Sequence, residues 1–346
     1  MMDGNAAVKG WAAPIARSAM SKEEWVTTGP RNGATVPLPD NYAFVMNVWH
    51  LLDRPVHTLA PGHELRRATP EEITTIKETL ERLVGGPVSY QQFFWEHRWP
   101  HRGSEVEILP EAEWRYFVIG FRGNNQTISE LQAAFDLALV ELEVGFTILY
   151  HIGGTPGKGF LWWGGRLFHV LEAAWHSDDF FVDVSARDTE AIAEIHTAIQ
   201  HHEDLLVDVK RLAGQLGDLK ALPHQSPLRF LGYFAILESL LTHAPKLSDP
   251  YDSITRQVKK KLALLDHRWP AKIDYTPFAG ASTDTVWSKM YRYRSQLAHG
   301  GAPDFAGELA TLGSQKKALK LLNETVKAVI RQALTEPQLV VDLRDC

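Results

Sequence analysis

The spacing of apolar positions changes its period along the chain. In the first half, short aromatic and β-branched stretches such as EWRYFVIGFRG (113–123) and DDFFVDVSA (178–186) are typical of β-strands. Between them lie segments with an apolar residue at every third or fourth position, which is the period of an amphipathic helix. The pattern therefore predicts an α/β (α+β) domain over residues 41–220. It is preceded by a loose N-terminal segment, 1–40, in which no period is sustained.

Several helices of this region can be predicted individually. The segment 68–85 opens with Ala-Thr-Pro-Glu-Glu, which supplies a cap, a proline for the first turn and acidic residues near the helix N-terminus. The mostly apolar stretch 127–151 is predicted to be one long helix, and 164–176 another. The segment 188–216 is predicted to be helical with a break near His201.

The last third of the chain has the helical period almost throughout. Four helices are predicted, and they cover residues 226–244, 249–268, 283–300 and 314–336. Four helices with short connections are typical of a bundle. The predicted fold class is therefore mixed, with the α/β domain followed by an all-α four-helix bundle over residues 224–336. The C-terminal tail, 337–346, is expected to form a short strand or an arm that docks elsewhere.

Length and composition set further bounds. A chain of 346 residues is long enough for two domains. Its single cysteine, Cys346, allows no internal disulfide, as expected in a reducing cytoplasm. No apolar run is long enough for a membrane helix and the N-terminus lacks a secretory signal, so we expect a cytoplasmic protein without a membrane partner.

Charge is distributed unevenly between the two predicted domains. Residues Ser226–Thr335 contain 16 Lys or Arg and 9 Asp or Glu, whereas the rest of the chain contains 20 and 33. A basic part joined to an acidic part is typical of a protein whose basic surface meets a polyanion. The alternative is that the two parts simply attract each other.

Two candidate motifs lack residues that their chemistry requires. In the glycine-rich stretch GGTPGKG (153–159), the residue after the lysine is a glycine. A phosphate-binding loop requires Ser or Thr at that position to bind magnesium. The histidines within 97–101 and 200–203 lack the converging spacing of a metal site, and no cysteine completes a zinc set. We therefore expect neither nucleotide hydrolysis nor a bound metal or cofactor.

The third helix of the predicted bundle has a distinctive arginine. On a helical wheel, its buried seam consists of Val286, Met290, Tyr293 and Leu297. Arg294 borders this seam, so its stem can pack while its guanidinium reaches a groove. Lys289 and Arg292 line the opposite border and are candidates for RNA binding.

His299 ends this helix in front of two glycines. A continuing helix would place it about 140° from Arg294. Gly300 lets the backbone turn left-handed, which stops the helix at His299 and is expected to bring the ring towards Arg294. An arginine fork binds phosphate and an imidazole moves protons near neutral pH, so the pair could cleave RNA without metal by using the 2′-hydroxyl as nucleophile. The alternative is an ordinary basic helix end, since about one Arg-x4-His pair is expected by chance in such a chain.

These residues also carry a resemblance. MYRYRSQLAHGG (290–301) resembles the signature of the HEPN superfamily, in which Arg-x4–6-His lies at the end of a late helix of a four-helix bundle. More narrowly, it is similar to the Apea-like HEPN group. FLGYFAILESLL (230–241) resembles the opening helix of that group through its Ala-x-x-Glu-x-Leu-Leu pattern. The resemblance covers residues 224–336.

The resemblance implies a metal-independent endoribonuclease of a prokaryotic antiviral, abortive-infection or toxin system. Its expected partners are RNA, a second copy that completes a composite active site, and a regulatory protein or phage-derived trigger. Arg294 and His299 become the catalytic pair. Ser295 takes a polar position at which active members often have Asn, Asp or His. Glu238 is expected to orient Arg294 through a salt bridge, although a purely structural ion pair is the alternative.

Two functions therefore stay open. In the first, the bundle cuts RNA, and the acidic domain 41–220 senses a trigger or restrains the nuclease. In the second, the bundle is a catalytically inactive HEPN module that binds nucleic acid or a partner in a sensor protein. The presence of both Arg294 and His299 favours the nuclease.

Overall fold

The computed structural model describes most of the chain after the first 39 residues. The described residues are 40–84, 93–98, 107–152, 155–162, 167, 180–203, 206–223, 226–245 and 253–346. Apart from Asp40 and Leu167, the predicted loose segment 1–40 and the predicted helix 164–176 lie outside them.

An antiparallel sheet of six strands forms the centre of the N-terminal region. The described strands are β1 (Asn41–Val45), β2 (Val48–Leu51), β3 (Val56–Ala60), β4 (His63–Arg67), β5 (His97–Arg98), β6 (Glu107–Ile108), β7 (Phe117–Phe121), β8 (Val144–Ile152), β9 (Thr155–Trp162) and β10 (Val182–Val184). The sheet has the order β3-β4-β7-β1-β8-β9, while β10 pairs with β2 in parallel and β5 pairs with β6. The most central pairing joins β1 to β7, with Asn41 opposite Phe121 and Val45 opposite Phe117.

The central strand β1 is buried on both faces of the sheet. Successive side chains of a strand point to opposite faces. Ala43 and Val45 enter the large core that the sheet shares with the helices. Tyr42 and Phe44 enter a smaller aromatic core together with Trp95.

Helices surround the sheet and make up the C-terminal part. The described helices are α1 (Pro70–Val84), α2 (Phe93–Glu96), α3 (Gln126–Leu137), α4 (Ala186–His201), α5 (Val209–Lys220), α6 (Pro227–Leu241), α7 (Ile254–Arg268), α8 (Thr283–Ala298), α9 (Gln315–Thr335) and α10 (Pro337–Asp345). Helices α6 to α9 each follow a serine whose hydroxyl accepts a hydrogen bond from the first turn, and these serines are Ser226, Ser253, Ser282 and Ser314. The prediction of a mixed N-terminal region followed by a helical C-terminal part is confirmed at this level.

The prediction of one long helix over 127–151 is wrong. Helix α3 ends at Leu137, and Val144–Ile152 is strand β8, which pairs with β1 and β9. A strand buried on both faces is a continuous apolar run without alternation, so its period resembles that of a buried helix. The described part of the glycine-rich stretch, from Thr155 onward, belongs to strand β9, which pairs with β8.

The end of the chain is a helix, which contradicts the short strand, one of the two expectations for this segment. Residues 337–345 form helix α10 instead of a short strand, with Val340 buried in the shared core. His243 Nδ1 lies 2.8 Å from the Arg344 carbonyl oxygen, and Lys261 Nζ donates to the same oxygen at 3.1 Å. These contacts dock the end of α10 against the helical part.

Buried charges tie the N-terminal region to the helices. Lys220, at the end of α5, is only 3% exposed and lies 2.8 Å from Asp136 of α3. Its ammonium also contacts Glu141, which in turn contacts Lys327 of α9. Although burial alone would raise it, these two lysines hold the pKa of Glu141 well below its usual range. One hydrophobic core runs through both parts, from Ala43 in the sheet to α9 and α10.

No helix in the part of the chain that the structure describes is both long and apolar enough to cross a membrane.

Candidate functional site

Helix α8 carries the predicted site residues. Val286, Met290 and Tyr293 of its predicted seam are fully buried, and Leu297 packs against the same core while partly exposed. The wheel therefore predicted the buried face correctly. Because packing fixes the orientation of this face, the side chains on its border also leave the helix in defined directions.

Arg294 meets Glu238 of helix α6. Its Nη2 donates to Glu238 Oε2 at 3.3 Å, across 56 positions of sequence. The Arg294 side chain is 38% exposed, whereas Glu238 is 17% exposed. The expected salt bridge is thus present. It uses one corner of the guanidinium, and the structure gives Arg294 no other hydrogen bond or ion pair within the described residues.

An open groove of about 400 Å³ lies around this ion pair. Helices α6, α7 and α8 form its walls, and the lining residues are Glu238, Ile254, Thr255, Ser288, Tyr291, Arg292, Arg294 and Ser295. The structure therefore brings the predicted site residues Arg294, Glu238 and Ser295 together. Its volume exceeds that of a phosphate group.

His299 caps the C-terminus of helix α8. Gly300 has a left-handed backbone with φ of +70°. Its N–H donates to the Leu297 carbonyl at 3.3 Å, and the Gly301 N–H donates to the Gln296 carbonyl at 2.8 Å. This is the Schellman arrangement of a helix that ends in glycine. The expectation that the helix stops at His299 is confirmed.

The His299 ring stays outside the groove. The side chain is exposed, and it is not among the residues that line the groove with Arg294. The expected approach of the ring to Arg294 is therefore not seen in one copy of the chain. His299 stands at the helix end, where a partner or a long substrate can reach it.

The left-handed helix end gives a stability prediction. Gly300→Ala is expected to lower the free energy of unfolding by about 1 kcal/mol or more, because a Cβ is strained at this φ even though the space around it is open. Urea unfolding measures the change. Gly214→Ala is the matched control, since Gly214 lies inside α5 with equally open space and a normal helical backbone. That variant should be stabilised by roughly 0.5–1 kcal/mol, and equal effects at both glycines would contradict the assigned helix end.

The two predicted RNA-binding cations differ in their surroundings. Arg292 lines the groove, and its Nε lies 2.5 Å from Glu308 Oε1. This partner offsets part of its charge. Lys289 is partly buried and is not among the groove residues. A role in RNA binding remains a prediction for both.

Sequence reasoning missed Tyr291. Its ring packs against Phe234 of α6 with the ring centres 5.0 Å apart, and its side chain lines the groove. Burial, followed by the negative charge of the neighbouring Glu238, raises the pKa of Tyr291 far above its usual value. The spacing of three residues to Arg294, one helical turn, was a signal that could have found it.

The site can hold an anion through arginine, and a metal site is not evident near it. Within the described ranges, no group of three or more His, Cys, Asp or Glu side chains could hold a metal ion.

Comparison of the chain with protein-family models, with curated proteins and with solved structures finds no match.

Proposed function

We propose that this chain is a metal-independent endoribonuclease of HEPN type, in which helices α6 to α9 are the catalytic four-helix bundle. The observation that carries the proposal is the position of Arg294. Glu238 contacts one corner of the guanidinium in an open groove, and most of the N–H donors of Arg294 stay available. The same helix ends at an exposed histidine, so a phosphate ligand and a proton carrier lie close in sequence.

The proposed reaction is internal transesterification of RNA. The 2′-oxygen attacks the adjacent phosphorus, its proton passes to a base, and the bond from phosphorus to the 5′-oxygen breaks as that oxygen receives a proton. Arg294 binds the non-bridging oxygens and stabilises the charge that develops on them. His299 carries the protons. Ser295 lines the groove beside Arg294 and is placed to donate a further hydrogen bond.

A second copy of the chain completes the proposed site. His299 does not line the groove that holds Arg294, so one copy offers the two groups at separate places. A two-fold dimer in which the ends of two α8 helices meet brings histidines and arginines around one phosphate. One histidine can then act as base and the other as acid.

The biological role proposed for this nuclease is in prokaryotic antiviral defence, abortive infection or toxicity. The acidic N-terminal region senses a trigger, such as a regulatory protein or a phage-derived molecule, or restrains the nuclease. The shared core and the contact of Lys327 with Glu141 support a mechanical connection between the two parts.

The test uses matched RNA and DNA strands of one sequence. With excess EDTA, the purified protein is expected to cut the RNA and to leave the DNA intact, because DNA lacks the 2′-hydroxyl. Gel analysis of both strands gives the answer. Cleavage of both strands, or cleavage that EDTA abolishes, would refute the proposed chemistry.

The alternative is a catalytically inactive HEPN module that binds nucleic acid or a partner protein in a sensor. The position of His299 outside the groove favours it, since a lone Arg294 groove can hold a phosphate without chemistry. In that case RNA binds, Arg294→Ala weakens binding, His299→Ala has no effect, and no RNA is cut.

A further inference from the structure

The hydroxyl of Tyr291 is a buried polar group that lies near Glu238 without a hydrogen bond of ordinary geometry. Tyr291 is 9% exposed, and its oxygen makes no hydrogen bond of ordinary geometry to any described residue. Buried hydroxyls in native structures are nearly always hydrogen-bonded, so an exception requires an explanation. Tyr291 is among the residues that line the groove of Glu238 and Arg294.

The packing of two helices places this hydroxyl beside Glu238. Tyr291 and Arg294 are one turn apart on α8, and Phe234 and Glu238 are one turn apart on α6. Tyr291 packs on Phe234 with ring centres 5.0 Å apart, and Arg294 reaches Glu238 at 3.3 Å. The phenol and the guanidinium therefore approach the same carboxylate from adjacent turns. Because its pKa is raised, the phenol keeps its proton and can act as a donor to that carboxylate.

Glu238 needs a second donor whenever Arg294 moves. The distance of 3.3 Å is long for a hydrogen bond between charged groups, so the guanidinium is free to turn towards a ligand. A phosphate that takes the Nη2 donor of Arg294 competes directly with Glu238. Glu238 is 17% exposed, and a carboxylate left there without a partner opposes binding of that phosphate.

We infer that Tyr291 is a positioning residue. Its hydroxyl replaces Arg294 as the hydrogen-bond donor to Glu238 when Arg294 turns to a phosphate. The inference deepens the proposed function and rests on it, because it concerns how the proposed catalytic arginine is released. In the free protein the hydroxyl lies close to Glu238 but makes no hydrogen bond of ordinary geometry to it. In the phosphate complex it donates to Glu238 and keeps the carboxylate satisfied.

The test is a double-mutant cycle with inorganic phosphate as the probe. Phosphate is titrated into wild type, Tyr291→Phe, Glu238→Gln and the double variant, and the Arg294 side-chain N–H signal is followed by NMR. Tyr291→Phe is expected to weaken phosphate binding by about tenfold, the size of one lost hydrogen bond to a charged group. In the Glu238→Gln background the same change is expected to alter binding less than about twofold, because the neutral amide leaves no buried charge behind.

The control is Tyr293→Phe, since Tyr293 also packs against α6, through Phe230, but does not line the groove. It should leave phosphate binding unchanged. An equal loss in both Glu238 backgrounds would mean that the hydroxyl is merely structural, and it would overturn the inference. No loss in Tyr291→Phe, or no phosphate binding at Arg294 in wild type, would overturn it as well. RNA cleavage is assayed separately. If the mutant cycle gives the expected result but no RNA is cut, the proposed nuclease activity is refuted and the role of Tyr291 is not.

Discussion

Replacing His299 or Arg294 with alanine is expected to lower the rate of RNA cleavage by about 100-fold or more in each case. Removal of a group that transfers protons in the transition state costs roughly 10²–10⁴ in rate. Removal of a donor to the charge that develops on the phosphate costs a similar factor. Arg294→Lys should recover little, because lysine keeps the charge but lacks the planar fork that binds two phosphate oxygens.

Matched variants separate these losses from general effects of lost charge. His267 is an exposed histidine in the last turn of α7, and Arg268 beside it pairs with Glu336 at 2.7 Å. His267→Ala and Arg268→Ala are each expected to keep full cleavage. Initial rates on a fluorescent RNA strand give the comparison. A loss in the His267 and Arg268 variants as large as in the site variants would show that position on α8 does not matter.

Lys220→Met is expected to lower the free energy of unfolding by about 3–5 kcal/mol, the usual cost of breaking a buried ion pair from one side. Lys220 is almost fully buried and lies 2.8 Å from Asp136, whose side chain is 2% exposed. Its ammonium also contacts Glu141 and lies 3.6 Å from Glu143. Methionine fills a similar volume but leaves these carboxylates with too little positive charge nearby.

Urea unfolding measures this loss, with Lys320→Met as the control. Lys320 is 76% exposed and lies 4.0 Å from Glu324, so its removal should cost less than about 1 kcal/mol. The variant Lys220→Met/Asp136→Leu should recover part of the loss, because it removes one of the unpaired carboxylates. A Lys220→Met protein as stable as the Lys320 control would show that these charges do not stabilise the packing of α5 against α3 and the segment that follows it.

The sequence predicted four helical segments in the C-terminal part, and α6 to α9 lie within them. Local rules explain where these helices begin and end. The caps of α6 to α9 are serines that the sequence displays, and the end of α8 follows from Gly300. Glu238 and Arg294 were also expected to pair, and they do. That expectation came from the resemblance to the HEPN group, since no spacing rule joins residues on two different helices.

Features that depend on the neighbourhood of a segment could not be predicted in this way. Strand β8 was taken for part of a helix because burial on both faces removes the alternation of a strand. The direction of the His299 ring depends on the backbone beyond the helix, where a wheel no longer applies. The role proposed for Tyr291 depends on a carboxylate 53 positions away in sequence, which only the packing of α8 on α6 brings near.

The most direct test of the central claim is the chemistry of the product ends. Wild type and Arg294→Ala/His299→Ala are incubated with one RNA strand in excess EDTA, and the fragments are identified by mass spectrometry. Wild type should produce 5′-hydroxyl and 2′,3′-cyclic phosphate ends, because the 2′-oxygen is the nucleophile, and the double variant should produce none. Fragments with 5′-phosphate ends, or the same fragments from the double variant, would contradict cleavage by Arg294 and His299.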